Sequence, residues 1–344
     1  MAEKKVGILT GGGDCPGLNP AIRGAVLKGL DFNWEIIGIN EGWKGLACSI
    51  TEPLSLEKVK DIMNQGGTIL GTSRYNPYKV DGGVEKVLKN ASKICPDGLI
   101  VMGGEDTLGV AHRLYKEQGF PVVGVPKTMD NDLSATDYTF GFDTSVTLAV
   151  KALEILRDTG RSHRRIMVLE VMGRHAGWVA LYTAIAGGAD WVLIPEEEPD
   201  IEKMCAHLKK VHEREKVATV VVSEGVKMPE LKNAKEELDQ FGHMILKKRG
   251  VGDRIAEIVE EKLGVEARVG VIGHMQRGGP ATVFDRMLGV RTGVKASELV
   301  GNGKFGNMAC LKGNSIEAVP LSEAVSVLKT VTPEWVDFAK TLFK

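Results

Sequence analysis

Short apolar runs that stop at glycine recur along this chain. Val6 to Thr10 leads into Gly11-Gly12-Gly13, Leu99 to Met102 into Gly103-Gly104, and Ile166 to Met172 into Gly173. Such runs predict buried strands ending in turns. Trp191 to Ile194 and Thr219 to Val222 are further apolar runs of strand length. Helix-compatible spacing covers Pro20 to Leu30, Thr107 to Glu117, and stretches near 144–158, 176–186, 200–214, 234–249, 252–263 and 283–299. Gly306 to Leu311 and Ser315 to Pro320 predict a small β element before a last helix, Pro333 to Phe343. The Lys- and Glu-rich stretch from about 225 to 250 reads as a loop leading into a solvated helix. Glu196-Glu197-Glu198 reads as a solvated turn, and Trp178 and Trp191 as packing residues. Strand and helix alternate, so the expected class is α/β, with parallel sheets covered on both faces and ligands beyond the strands' carboxyl ends, where the glycine turns fall.

Composition narrows the function. Glycine is the outlier, 42 of 344 residues, against a usual ~7%; with no collagen period, such an excess marks tight turns and close backbone approaches. Lys and Arg total 44 against 45 Asp and Glu, a formal net charge of -1, so no overall basic field draws the chain to nucleic acid or membranes. Any anion site must be local. The cysteines at 15, 48, 95, 205 and 310 form no Cys-x-x-Cys pair, which argues for a reduced chain and against a structural zinc. The first glycine turn follows within a few residues of Met1, leaving no room for a signal segment, and no apolar run has membrane-spanning length. The expectation is a cytoplasmic protein.

Two glycine turns share one plan: Gly11-Gly12-Gly13-Asp14 and Gly103-Gly104-Glu105-Asp106, strand then glycines then carboxylate. Turns of this kind present backbone N–H groups to phosphate oxygens, and adjacent carboxylates can hold a magnesium ion shared with the phosphate. The usual nucleotide signatures are missing. No Gly-x-x-x-x-Gly-Lys-Ser/Thr occurs, and the one Gly-x-Gly-x-x-Gly, residues 301–306, follows a helix and precedes a strand, the reverse of a dinucleotide site.

Another scaffold supplies the phosphate chemistry. Gly-Gly-Asp-Cys-Pro-Gly-Leu-Asn at 12–19, Gly-Thr-Ser-Arg at 71–74, Lys-Thr-Met-Asp-Asn-Asp at 127–132, Glu-Val-Met-Gly-Arg at 170–174 and Gly-His-Met-Gln-Arg-Gly-Gly at 273–279 resemble the signatures of the phosphofructokinase family, in the family's order, from Val6 to about Phe343. The resemblance implies two similar three-layer α/β/α domains with mainly parallel sheets and an active site in the cleft between them. Residues 1–141 plus about 276–327 would bind the phosphoryl donor, and about 142–275 plus 328–344 fructose 6-phosphate. It implies transfer to the sugar's 1-hydroxyl, with Asp130 as general base and Asp132 supporting the loop or the metal. Thr128, Met172, Gly173, Arg174, Glu224, His274 and Arg277 would bind the sugar phosphate within one subunit. Arg165 and Arg268 would reach it from a neighbour, so the resemblance implies a homodimer or homotetramer. Planar guanidinium forks suit phosphate oxygens better than a lysine point charge.

The donor turns on two residues. Gly12, Arg74, Asp106 and Lys127 match donor-binding positions, with Glu105 assigned to Mg2+ where relatives often carry Asp. ATP-using relatives commonly have Gly where this chain has Asp106 and Lys127, although some also carry the lysine, so Asp106 bears most of the discrimination. A carboxylate in the space of an ATP α-phosphate costs roughly 4 kcal/mol at ~4 Å and an effective dielectric of ~20, on the order of a thousandfold in affinity. Lys127 suits a short diphosphate and offsets charge on the leaving phosphate. The expected donor is therefore pyrophosphate, with insensitivity to nucleotide effectors. The alternatives are an ATP-dependent enzyme of the same family and a non-catalytic sugar-phosphate-binding subunit.

Overall fold

The computed structural model describes residues 4–228 and 250–343; the helix expected near 234–249 lies outside them. In chain order the strands are β1 (Lys5–Thr10), β2 (Glu35–Ile39), β3 (Thr51–Pro53), β4 (Gly98–Gly103), β5 (Val122–Pro126), β6 (Ile166–Val171), β7 (Trp191–Leu193), β8 (Ala218–Ser223), β9 (Ala267–Val271), β10 (Asn307–Lys312) and β11 (Ser315–Pro320). The helices are α1 (Leu18–Asp31), α2 (Gly42–Cys48), α3 (Leu56–Val59), α4 (Gly83–Ile94), α5 (Glu105–Gln118), α6 (Phe142–His163), α7 (Trp178–Gly187), α8 (Ile201–Glu215), α9 (Val251–Leu263), α10 (Val283–Gly301), α11 (Leu321–Ala324) and α12 (Pro333–Lys340).

The strands form two sheets. One has the order β11-β10-β5-β4-β1-β2-β3, parallel except at its edge strands β11 and β3; the other, β7-β8-β6-β9, is parallel throughout. Both faces of each are covered, because successive side chains of a strand point to opposite faces. In β1, Val6 and Ile8 join the core shared with α1 and α10, while Leu9 joins the core shared with α4 and α5. In β6, Ile166 and Val168 pack with α8 and α9, and Leu169 and Val171 with α6 and α7. Side-chain caps set helix starts at α3, where Ser55 accepts from Lys58 N, at α8, where Asp200 Oδ1 accepts from Lys203 N at 3.0 Å, and at α10, capped by Thr282. The expected α/β class with two three-layer units is the observed architecture.

Although β1, which the apolar pattern announces, contains Gly7, the pattern does not announce β2, β5 and β9, which contain Gly38, Gly124 and Gly270. A Cβ at these positions would lie 2.7 Å from Leu70 Cδ2, Leu321 Cδ2 and Leu156 Cδ1 respectively. Each glycine lets a neighbouring leucine press onto the sheet. The residues 306–320 expectation holds, with β10 and β11 extending the large sheet as an antiparallel hairpin. All five cysteines are free, and among the described residues no helix is long and apolar enough to cross a membrane.

Candidate active site

Register brings distant turns together. β1 pairs with β4 so that Thr10 lies opposite Met102, and β4 pairs with β5 so that Gly103 lies opposite Pro126. Three strand ends are thus neighbours. The two glycine turns, about ninety residues apart in sequence, meet directly: Gly11 N donates to Met102 O at 3.0 Å, and Lys127 N to Gly103 O at 3.0 Å. Thr107, in the first turn of α5, fills the angle between them; a Cβ on Gly103 would sit 2.3 Å from Thr107 Cβ, and one on Gly11 2.7 Å from Thr107 Cγ2. Gly12 has φ 78°, the left-handed region, and its N–H donates to Ser73 O at 3.2 Å while Thr72 Oγ1 donates to its carbonyl at 2.6 Å. Residues 72–74 therefore lie against the first turn, with Arg74 exposed.

Lys127 is buried, only 4% exposed. Its Nζ donates to Gly13 O at 2.6 Å, and burial pushes its pKa down. Asp106 and Glu105 open α5 and line a cavity of about 340 Å³ with Asn76, Tyr78, His112 and Arg113. Carboxylates in a helix's first turn are favoured by the backbone dipole.

The second sheet contributes the facing edge. Val171 lies opposite Ser223, and Glu170 opposite Val271, so Met172–Arg174, Glu224 and the short 3₁₀ turn Gly273–Arg277 are neighbours. Gln276, fully buried, ties them: its Oε1 accepts from Met172 N at 2.8 Å and its Nε2 donates to Ser145 Oγ at 2.9 Å. Arg277 spans the gap between the two edges, with Nη1 donating to Asp14 O at 3.0 Å. His274 is exposed on the same turn.

Asp130 lies where the edges face each other. Burial first, then the charge of Asp132, push its carboxyl up to about 6, while Arg277, Arg174 and Lys127 pull it down. Its Oδ1 is buried and has no hydrogen-bond partner among the described residues, an arrangement that is costly unless a ligand completes it. Thr128 shapes the loop: its Oγ1 accepts from Asp130 N at 3.1 Å, and its hydroxyl also bonds the Asp132 carboxyl. Glu224 is raised to about 7, by burial and then by Asp130. Asp132 is raised as well, chiefly by burial, with Glu105 adding repulsion.

That mutual repulsion is the chemistry a divalent cation relieves. Glu105 and Asp132 fit magnesium, which is held through one or two carboxylates plus substrate phosphates and water; no cluster of three or more ligating side chains gathers among the described residues.

Two expected residues stand apart. Arg165 and Arg268 lie at the amino ends of β6 and β9, away from the carboxyl-end turns. Arg165 Nε donates to Glu266 at 2.6 Å, and Arg268 also pairs with Glu266. One subunit does not bring them to Asp130. The acidic run is a turn with Glu197 and Glu198 exposed, as expected, and only the half-buried Glu196 departs, its Oε1 accepting from Gly177 N and Val331 N, each at 2.9 Å, at the start of α7. Gln276 lies inside the 273–279 motif, whereas Thr107 and Lys329, which contacts the Asp130 loop, have no signal in the sequence.

Two glycine turns and a buried lysine thus face an arginine-bearing edge, with the Asp130 carboxylate between them. A family model described as Phosphofructokinase matches residues 5–300, and the chain belongs to the phosphofructokinase family. It is 48% identical over 347 residues to the Pyrophosphate--fructose 6-phosphate 1-phosphotransferase of Dictyoglomus thermophilum, covering 100% of this chain and 99% of that protein. It is 49% identical over 345 residues to the Amycolatopsis methanolica protein of the same name, covering 98% and 99%. An ATP-dependent 6-phosphofructokinase 3 of Streptomyces coelicolor is 45% identical over 334 residues, covering 95% and 96%. Pichia pastoris phosphofructokinase in the T-state superposes with a TM-score of 0.83 at 28% identity, covering 99% of this chain and 36% of that one. The chain therefore spans about a third of the yeast polypeptide.

Proposed function

We propose that the chain is a pyrophosphate-dependent 6-phosphofructokinase, moving a phosphoryl group reversibly from diphosphate to the 1-hydroxyl of fructose 6-phosphate to give fructose 1,6-bisphosphate and phosphate, in glycolysis. The observation that carries the reading is the buried, unpartnered Asp130 Oδ1 between the two edges. A sugar hydroxyl donating to that oxygen would satisfy it, and the carboxylate would take the proton as the phosphoryl group arrives. Phosphoryl transfer asks little more of the protein than alignment and charge compensation.

In this reading Arg174, Arg277 and His274 hold the sugar phosphate, Met172 and Gly173 line the sugar, and Glu224 bonds its hydroxyls. Gly12 and Arg74 bind the donor, and Lys127 offsets charge on the leaving phosphate. Glu105 and Asp132 would hold Mg2+, which when bound neutralises donor phosphate oxygens. Residues 1–141 with about 276–327 form the donor half and about 142–275 with 328–344 the sugar half, a partition supported by the separation into two sheets. A cytoplasmic homodimer or homotetramer, with Arg165 and Arg268 crossing the interface, completes the proposal; their distance from Asp130 within one subunit supports it.

Pyrophosphate is preferred over ATP because Asp106 brings a fixed charge to the helix start that borders the donor turns. Relatives named for pyrophosphate are 48–49% identical, against 45% for the ATP-dependent one, which supports the same choice. Steady-state rates with each donor test it: pyrophosphate supports turnover and ATP does not. Equal turnover with ATP would overturn the donor assignment.

A further inference from the structure

We infer that Lys329 is a positioning residue that holds the Asp130 loop in its reactive shape from a segment nearly two hundred residues away. The inference rests on the reading of Asp130 as the base. Residues 327–329 run antiparallel to 132–134, joined by the Leu133–Leu328 bridge and by Ser134 Oγ donating to Val327 O. Lys329 bonds the loop repeatedly. Its N–H donates to Asp132 O at 2.8 Å, and its Nζ donates to Asp137 O at 2.6 Å, Thr136 O at 3.1 Å and Asn131 Oδ1 at 3.1 Å.

Asn131 is what needs holding. Its φ is 52°, the left-handed region, which Asn enters more readily than most residues with a side chain, so its side-chain bonds help to hold the turn there. It sits between Asp130 and Asp132, so its backbone sets the direction of both carboxylates. Its Oδ1 has two donors, Lys329 Nζ and Thr139 N, the latter at 3.2 Å. With the ammonium removed, one side-chain tie on that conformation is lost, and two loop carbonyls lose a charged donor.

The lysine is itself fixed by the sugar half. Trp178 Nε1 donates to Lys329 O at 2.9 Å, and the ammonium stands 5.7 Å from the Trp178 ring centroid and 5.9 Å from that of Tyr138. Trp178 opens α7, which packs on the second sheet. Burial lowers the Lys329 pKa to about 8, as expected of an ammonium held by neutral carbonyls and rings. Lys329 thereby joins α7 to a loop that leaves the first sheet, and it registers Asp130 against the sugar-binding edge.

Steady-state kinetics with pyrophosphate and fructose 6-phosphate test this in Lys329→Met, Lys329→Arg and Asn131→Ala, with Asp130→Asn alongside. A misaligned base costs on the order of 10²-fold in kcat, so Lys329→Met is expected to lose about that much while both KM values stay within about twofold, the signature of an interaction felt only in the transition state. Lys329→Arg, which keeps charge and several donors, should recover most of the loss. If Lys329→Met does not fold, Asn131→Ala carries the same expectation, because it removes the acceptor that Lys329 Nζ and Thr139 N share, and Asn131→Gly, which keeps the left-handed φ, should lose the same amount and so separates the lost tie from backbone strain. A folded Lys329→Met or Asn131→Ala with wild-type kcat, or with raised KM alone, overturns the inference. An active Asp130→Asn overturns the base assignment instead, so the two failures are separable.

Discussion

At the residue scale, Asp130 pairs reactivity with cost. Its carboxyl is raised to about 6 by burial and by Asp132, which brings a modest base closer to working pH. In the free enzyme kcat/KM should rise as pH increases through about 6 and level off above it, and Asp130→Asn should lose 10²-fold or more in kcat. A flat profile between pH 5 and 7 would contradict the assignment. The same shift acts on stability. A carboxyl whose folded pKa lies above its unfolded value contributes stability below the unfolded value, near 4, and loses it as pH rises through the folded value. Asp130, Glu224 at about 7 and Asp285 at about 6 all shift this way, so their combined contribution declines from pH 4 to 7. Asp130→Asn should accordingly melt a few degrees higher than wild type at pH 8, read by calorimetry. In the proposed reading Asp106 excludes ATP with its carboxylate: Asp106→Gly, with or without Lys127→Gly, should gain ATP-dependent turnover, measured as ADP release. No gain would leave ATP exclusion to some other residue.

At the scale of elements, close approach decides more than propensity. Helices α1 and α10 touch backbone to backbone, since a Cβ on Gly293 would lie 2.1 Å from Ala21 O and 2.9 Å from Ala25 N. Gly293→Ala should gain roughly 1 kcal/mol of helix propensity but force the helices apart, at roughly 1–3 kcal/mol for overpacking. A contact of 2.1 Å with a backbone oxygen selects the upper end. The expected net loss is about 1–2 kcal/mol, read from the urea midpoint, and a stabilised variant would refute this account of the packing. The strands interrupted by Gly38, Gly124 and Gly270 follow the same rule: each glycine weakens the apolar signature of its own strand to admit a leucine from elsewhere.

At the scale of the whole molecule, one subunit brings together the two glycine turns, Asp130 and the edge that carries Arg174 and Arg277. It holds Arg165 and Arg268 at the opposite strand ends, paired with Glu266. If a neighbour supplies them, Arg268→Ala and Asp130→Asn variants, each inactive alone, should regain activity when unfolded together and reassembled, because some hybrid sites then hold both intact residues. Activity that never exceeds that of the separate variants would argue against a shared site. Sedimentation should correspondingly show a dimer or tetramer at assay concentration.

The motifs that build the candidate site were legible in the chain because each is local: a strand end, its glycines and the carboxylate or lysine beside them are consecutive. So were β1, β4, β6, β7 and β8, whose apolar runs are dense, and most of the long helices. Tertiary structure alone decided that the turns after β1, β4 and β5 are neighbours, that Gln276 and Lys329 tie separate segments to the site, and that Glu196 faces α7 rather than water. Those facts depend on strand order and on hydrogen bonds between separate segments, from 19 positions apart for Gly177 and Glu196 to 198 for Asn131 and Lys329, and no local pattern in the sequence encodes such contacts.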